Sequence, residues 1–123
     1  RVSRRQRQMC IRDSSLTVCL EVFGVGGKTP LHQHHFAVEM FFVLKGEGRA
    51  SCDGKSIKIR AGDSILMPPT GNHIIENTGS TRLYVLCIMV PNEDFAELIR
   101  SGKPVDLDEE DMKVLTSSNF GNF

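Results

Sequence analysis

Between Leu16 and Pro91, turn-forming residues cut the chain into apolar runs too short to be typical helices, and this punctuation constrains the fold more than any other feature. LTVCLEVF (16–23) alternates, with Leu16, Val18, Leu20 and Val22 on one face and Thr17, Cys19, Glu21 and Phe23 on the other, before GVGGKTP breaks it. VEMFFVL (38–44) ends at a Gly-Glu-Gly turn, and GRASC meets KSIKIR through Asp53-Gly54, a strong two-residue hairpin signal. Ala61-Gly62-Asp63 turns into SILM, Pro68 and Pro69 end that strand, and RLYVLCIMV (82–90) stops at Pro91. Short strands at this spacing predict an all-β sandwich or barrel.

Two of these strands are apolar on both faces. In VEMFFVL, Glu39, Phe41 and Val43 point one way and Met40, Phe42 and Leu44 the other, and RLYVLCIMV behaves likewise; a half-exposed strand would alternate with polar residues. If Glu39 faces a cavity, then Met40, Phe42 and Leu44 form an outer apolar stripe that something must cover. The two candidates are a second subunit, which would make a homodimer, and the chain's own C-terminal helices.

The tail changes character at Asn92. Asn92 is placed to cap a short helix through Arg100, with Phe95, Leu98 and Ile99 on one face and Gly102 as its stop. Asp106 followed by Glu109 resembles a capping box for a second helix through about Leu115. The eight acids between Glu93 and Asp111 lack the spacing of a calcium loop and read as a solvated helix face. The closing SSNFGNF is expected to fray.

Three of the four histidines stand at positions 32, 34 and 73, with Glu39 seven residues after the first. Residues two apart in an extended strand point the same way, so His32 and His34 can project into one cavity. Imidazoles and a carboxylate suit borderline and moderately hard divalent metals, and four such ligands leave one or two coordination positions open. The spacing therefore reads as one metal site assembled from two hairpins. His35 would face away from its neighbours.

The stretches around these residues carry a fuller pattern. The first holds Gly26, five residues, His32, one residue, His34, four residues, Glu39, six residues and Gly46; the second holds Gly62, five residues, Pro68, four residues, His73, three residues and Asn77. They resemble the two signature motifs of the cupin superfamily, G-x5-H-x-H-x(3,4)-E-x6-G and G-x5-P-x-G-x2-H-x3-N, and the chain is identified as similar to small single-domain cupins of type 2. Thr70 stands where the second motif has glycine, and Gly71 follows, which leaves the local turn geometry open. The resemblance covers residues 16–91. It implies a double-stranded β-helix, the cupin or jelly-roll barrel, here with two short C-terminal helices, and His32, His34, Glu39 and His73 as ligands of one divalent metal ion inside its open end. Fe(II) is the first choice for that ion, with Mn, Ni, Zn or Cu as the others, because the family's oxygenases use this ligand set.

A barrel of this size encloses one small ligand, so the expected partner is a small molecule and not a threaded polymer. The first expectation is a metal-dependent enzyme, with dioxygenase, isomerase, decarboxylase and lyase as candidates; the rival is a non-catalytic binding or sensing module. Tyr84 is a candidate general acid if its face is inward, and otherwise a core aromatic with a polar tip. Arg49 or Arg82 could clamp a substrate carboxylate, although exposed strand arginines are common, and Glu21 and Glu76 are weaker candidates for a base. Asn77 is expected to fix the turn after His73.

Composition sets the remaining bounds. At 123 residues the chain suits one domain, divided here into an arm (1–13), a barrel (14–91) and a helical extension (92–123). The arm carries five arginines against Asp13, whereas residues 14–123 carry ten Lys and Arg against fourteen Asp and Glu, a net charge of −4. That mildly acidic body argues against nucleic acid as a partner. The arm shows neither strand nor helix periodicity. It reads as a disordered basic segment that touches polyanions or, the preferred reading, as a gene-model artefact outside the fold. No run approaches the roughly 20 apolar residues that cross a bilayer, and no apolar core follows the basic start, so neither a membrane span nor a signal peptide is expected. Cys19, Cys52 and Cys87 sit in apolar strand-like runs, as small buried hydrophobes would in a reducing compartment, and the cytoplasm is the expected location.

Overall fold

The computed structural model describes residues 4–8, by their backbone course, and 15–116. Among these described residues, eight strands and two helices follow one another: β1 (Arg4–Gln8), β2 (Thr17–Phe23), β3 (Val38–Lys45), β4 (Glu47–Cys52), β5 (Lys55–Arg60), β6 (Ser64–Met67), β7 (His73–Glu76), β8 (Leu83–Val90), α1 (Phe95–Arg100) and α2 (Glu109–Leu115). They form two antiparallel sheets, β1-β2-β8-β3-β6 and β5-β4-β7, packed face to face as an all-β jelly roll.

The core lies between the sheets. Cys19, Phe23, Phe41, Val43, Met67, Val85, Cys87 and Met89 from the larger sheet meet Ala50, Ile59 and Ile75 from the smaller one. The alternation in the sequence sets this layer: Glu39, Phe41 and Val43 of β3 point inward together, as their period of two requires. The hairpin between β4 and β5 turns on Asp53 and Gly54, at φ 47° and 79°, the left-handed pair that a type I′ turn needs. Asp53 also ties this hairpin to the loop before β7, its backbone N–H donating to the Asn72 carbonyl (2.8 Å) and its side chain accepting from the Asn72 N–H (2.9 Å).

A second, smaller core sits outside the larger sheet. Leu20 and Val22 of β2 and Tyr84 of β8 pack under Val114 and Leu115 of α2, with Leu44 of β3 at the edge. The outer apolar stripe is thus covered in part by the chain's own tail: Leu44 lies under α2, Met40 is half-buried and Phe42 keeps 38% of its surface exposed.

Three details differ from the sequence reading. Arg4–Gln8 forms a strand where no element was expected, pairing Arg4 with Phe23 through Gln8 with Cys19. Pairing to an open sheet edge uses only backbone groups, so it requires no side-chain periodicity. The rest of the basic arm and the closing SSNFGNF lie outside the described residues. The first helix starts at Phe95, after Asp94 in the left-handed region, although Asn92 still accepts the Ala96 N–H (2.8 Å). The second capping box is formed by Asp108 and Asp111 and not by Asp106 and Glu109.

Burial decides that last register. Asp111 is fully buried, far from the solvated position expected of it. Its Oδ1 accepts from the Tyr84 hydroxyl (3.0 Å) and the Arg82 guanidinium (3.0 Å), while Arg82 also donates to Asp108 (2.8 Å). A buried carboxylate is tolerated only when so paired, and the pairing fixes where the helix begins.

Burial, helped by the neighbouring Asp111, pushes the Tyr84 phenol up to about 12. The fold therefore prefers the neutral phenol: its contribution is whole below the unfolded pKa of about 10 and is lost as pH rises from there through about 12, a span worth roughly 2–3 kcal/mol. Chemical denaturation of Tyr84→Phe should show a loss of about 1–3 kcal/mol at neutral pH. Its stability should then fall less steeply than that of the unsubstituted protein between pH 10 and 12; parallel profiles in that window would refute the latch.

Candidate metal centre

Glu39 enters the interior from the start of β3, and His73 from the start of β7 in the facing sheet. The loop between β2 and β3 brings His32 and His34 to them. It is not a regular strand, but it is zipped onto β7 by backbone pairing: Thr29 N–H to the Ile75 carbonyl (2.9 Å), His73 N–H to the His32 carbonyl (2.9 Å) and His32 N–H to the His73 carbonyl (3.3 Å). Asn77 N–H donates to the Gly27 carbonyl (2.8 Å), and the Asn77 side-chain amide reaches the carbonyls of Phe23, Gly24 and Thr81. Asn77 thus fixes the turn after His73, as expected, and ties the β7–β8 connection to the β2–β3 loop.

The resulting geometry is tight. His34 Nε2 lies 3.1 Å and His73 Nε2 2.9 Å from the same oxygen, Glu39 Oε2. The His32 ring lies 4.2 Å from the His73 ring, tilted by 60°, and one ligand atom from each of the four residues lies within 4.8 Å of the others. The His73 and Glu39 side chains are 1% and 2% exposed, against 14% for His34, so the group opens to solvent on the loop side.

The other ring nitrogens are already committed. His32 Nδ1 sits 2.8 Å from the Pro30 carbonyl and His73 Nδ1 2.9 Å from the Gly71 carbonyl, so both rings donate there and present Nε2 as a lone pair. A lone pair at His73 Nε2 facing a carboxylate oxygen at 2.9 Å is repulsive unless a proton or a cation lies between them. The donor set therefore fits a divalent ion.

Two of the charge states, those of Glu39 and His32, agree with that fit. Burial works to raise the Glu39 pKa, but bonds from His34, His73 and Cys87 outweigh it and hold the carboxyl well below the usual carboxylate range. Burial lowers the pKa of His32, which favours the neutral ligand form. For His73 burial also lowers it, yet the contacts with Glu39 and the Gly71 carbonyl raise it overall, which favours a proton between its Nε2 and the carboxylate when no ion lies there.

Residues 19–89 match the family model described as Cupin domain. The chain is a cupin. A Methanocaldococcus jannaschii protein, Uncharacterized protein MJ1618, is 39% identical over 67 residues, covering 54% of each chain. The oxalate-binding protein of Thermotoga maritima is 37% identical over 65 residues, 53% of this chain and 54% of that one. The aligned region is about half the length of these curated relatives. Among solved structures, a predicted oxalate decarboxylase from Thermotoga maritima aligns with a TM-score of 0.68 at 26% identity, covering 72% of this chain and 80% of that one. KdgF from Halomonas sp. aligns at 0.69 and 17% identity, over 76% and 83%, and shares the fold.

The cupin does not bring the other candidates to the cluster. Tyr84 lies on the opposite face of β8 from Cys87 and is bonded to Asp111, so its hydroxyl faces α2 and not the cavity. Arg82 is held by Asp108, Glu110 and Asp111. Arg49 is exposed on β4, paired in register with the half-buried Glu76 on β7. His35 is exposed, as expected. Glu21 is buried on the inner face.

Two contributors were not legible in the motifs. Cys87 Sγ donates to Glu39 Oε1 at 3.0 Å, and Glu93 Oε2 accepts from the N–H groups of Phe36 (3.1 Å) and Ala37 (2.6 Å), pinning the turn between His34 and β3. The alternation of β8 places Cys87 on the face opposite Tyr84, but nothing local ties Glu93 to position 37.

Thr70 resolves the departure from the second motif. It adopts the left-handed backbone itself, at φ 65°, and donates its N–H to the His34 carbonyl (2.7 Å). Gly71 is needed for space: a Cβ there would lie 2.8 Å from Cys52 Sγ. A β-branched residue in the left-handed region costs roughly 1–2 kcal/mol, partly offset in glycine by about 0.5–1 kcal/mol of unfolded-state entropy. Thermal melts should place Thr70→Gly above the parent by up to about 1 kcal/mol and Gly71→Ala below it by about 1–3 kcal/mol. The opposite order would contradict this account of the turn.

Proposed function

We propose that this cupin is a metal-dependent enzyme whose barrel holds one divalent ion on His32, His34, Glu39 and His73 and takes a small, oxygen-rich substrate of the oxalate class. The observation that carries the reading is the convergence of His34 Nε2 and His73 Nε2 on Glu39 Oε2, with the second nitrogen of His73 bound to the Gly71 carbonyl. When bound, a divalent ion supplies Lewis acidity and, for iron or manganese, a redox centre. Fe(II) is the first choice.

The protein's own contributions are positional. Four ligands leave one or two sites for substrate, and a dicarboxylate can fill two with its own oxygens. Apolar neighbours such as Phe41, 6.2 Å from the His73 ring, keep the interior poor in water and strengthen each charge interaction. The names of the Thermotoga maritima relatives favour oxalate as the first ligand to try.

A second reading, binding without turnover, is supported by one placement: Tyr84 and Arg82 are bonded to acids of the tail and Arg49 is exposed on β4, so the cluster gains no general acid or substrate clamp from them in this arrangement.

Metal analysis of anaerobically purified protein should show a bound divalent ion, and calorimetry should detect oxalate binding that disappears when the ion is chelated. His73→Ala should weaken ion binding by more than the roughly 10–100-fold lost on removing a mere supporting residue. Oxalate turnover, followed as carbon dioxide release with and without dioxygen, decides between the enzyme and the binding module. Unchanged oxalate affinity in His73→Ala would refute the metal-centred account altogether.

A further inference from the structure

Behind Glu39 the barrel holds a second group of metal-ligating side chains. Cys19 and Glu21 follow each other on the inner face of β2, and Cys19 lies directly opposite Cys87 in the β2–β8 register. The three are 0%, 1% and 0% exposed, and their ligand atoms lie within 4.8 Å of one another. The ligands of a tetrahedral ion with sulfur and oxygen donors lie about 3.3–3.8 Å apart, so this group needs little adjustment to close on one. Cys87 also lies 3.0 Å from Glu39 Oε1, while Glu39 Oε2 faces His34 and His73. One carboxylate thus turns one oxygen to each group.

We propose that Cys19, Cys87 and Glu21 form a second, thiolate-rich metal site, completed by Oε1 of Glu39, which bridges it to the histidine site. The site takes an ion that accepts sulfur ligands, such as zinc. This rests on the four-ligand histidine centre for the bridging role of Glu39. Its charge balance is favourable: two divalent ions carry +4, matched by two thiolates and two carboxylates, with the three histidines neutral. An apolar interior admits charge only when it is so compensated. Each thiol releases one proton to solvent as the ion binds, and no redox step is involved. Access is through the histidine end, since His32 and His34 are the partly exposed members of the first group.

Cobalt(II) titration of the full chain under reducing, anaerobic conditions tests this directly. The expected result is two equivalents per chain, with an intense near-ultraviolet thiolate-to-cobalt charge-transfer band accompanying one of them. His34→Ala and His73→Ala should each lose the histidine-site equivalent and keep the band. A Cys19→Ser, Cys87→Ser double variant should bind one equivalent without the band. Cys52→Ser, half-buried and outside the group, should behave as the parent. One equivalent without a band in the parent would overturn the second site while leaving the histidine centre standing. One equivalent with the band in the parent, kept in the histidine variants and lost in the cysteine double variant, would remove the histidine centre instead. A parent that has already joined Cys19 to Cys87 in a disulfide under these conditions would also overturn the proposal.

Discussion

A carboxylate buried in an apolar barrel must be compensated, and Glu39 is the group around which the interior is arranged. Its side chain is 2% exposed, and three polar groups reach it from three directions: His34 from a loop, His73 from the facing sheet and Cys87 from the neighbouring strand. Leaving such a group unpaired would cost several kcal/mol. The loop that carries His34 has few apolar side chains to bury, so its position depends on being zipped to β7 and pinned by Glu93 and Thr70. The backbone pairing of His32 with His73 then sets both rings, and the Pro30 and Gly71 carbonyls set their tautomers. The gathering of the three histidines is a consequence of satisfying one charge.

A similar problem is solved at the outer face of the larger sheet. There Asp111 is fully buried, and Tyr84 and Arg82 compensate it, which docks α2 onto Leu20 and Val22. The two solutions divide the polar side chains of β8 between them. Cys87 turns inward to Glu39, and Tyr84, three residues earlier and on the other face, turns outward to the tail. The only tyrosine of the chain is thus spent on holding the helix, and the cavity keeps sulfur, imidazole and carboxylate as its polar groups.

Much of this was legible in the sequence because it follows from short-range rules. Period-two alternation placed Glu39, Phe41 and Val43 on one face, Asp53-Gly54 marked its hairpin, and the spacing of His32, His34, Glu39 and His73 placed four residues that the fold gathers into one group. What failed depends on contacts distant in sequence. The start of the second helix is decided by Arg82 and Tyr84, more than twenty residues away, so Asp106 and Asp108 could not be told apart locally. The strand at Arg4–Gln8 pairs through its backbone and leaves no pattern in its side chains. Thr70 hid the family's turn because the conformation survived the loss of the glycine that usually adopts it. The inner alternation of Cys19 and Glu21 was visible, but their significance depends on Cys87 lying opposite.

The order in which these groups sit along the barrel bears on how it works. The histidines nearest solvent come from a loop, the buried carboxylate from a strand end, and the sulfur atoms from paired mid-strand positions. Rigidity therefore increases with depth, since a mid-strand residue is held on both sides by ladder hydrogen bonds while a loop residue is held by a few. On the proposed function, a small molecule entering past His32 and His34 would meet the adjustable part of the site first and the fixed part last. Adaptation to such a ligand would fall on the loop bonds to β7, Thr70 and Glu93, while the strand-borne Glu39 would keep its place.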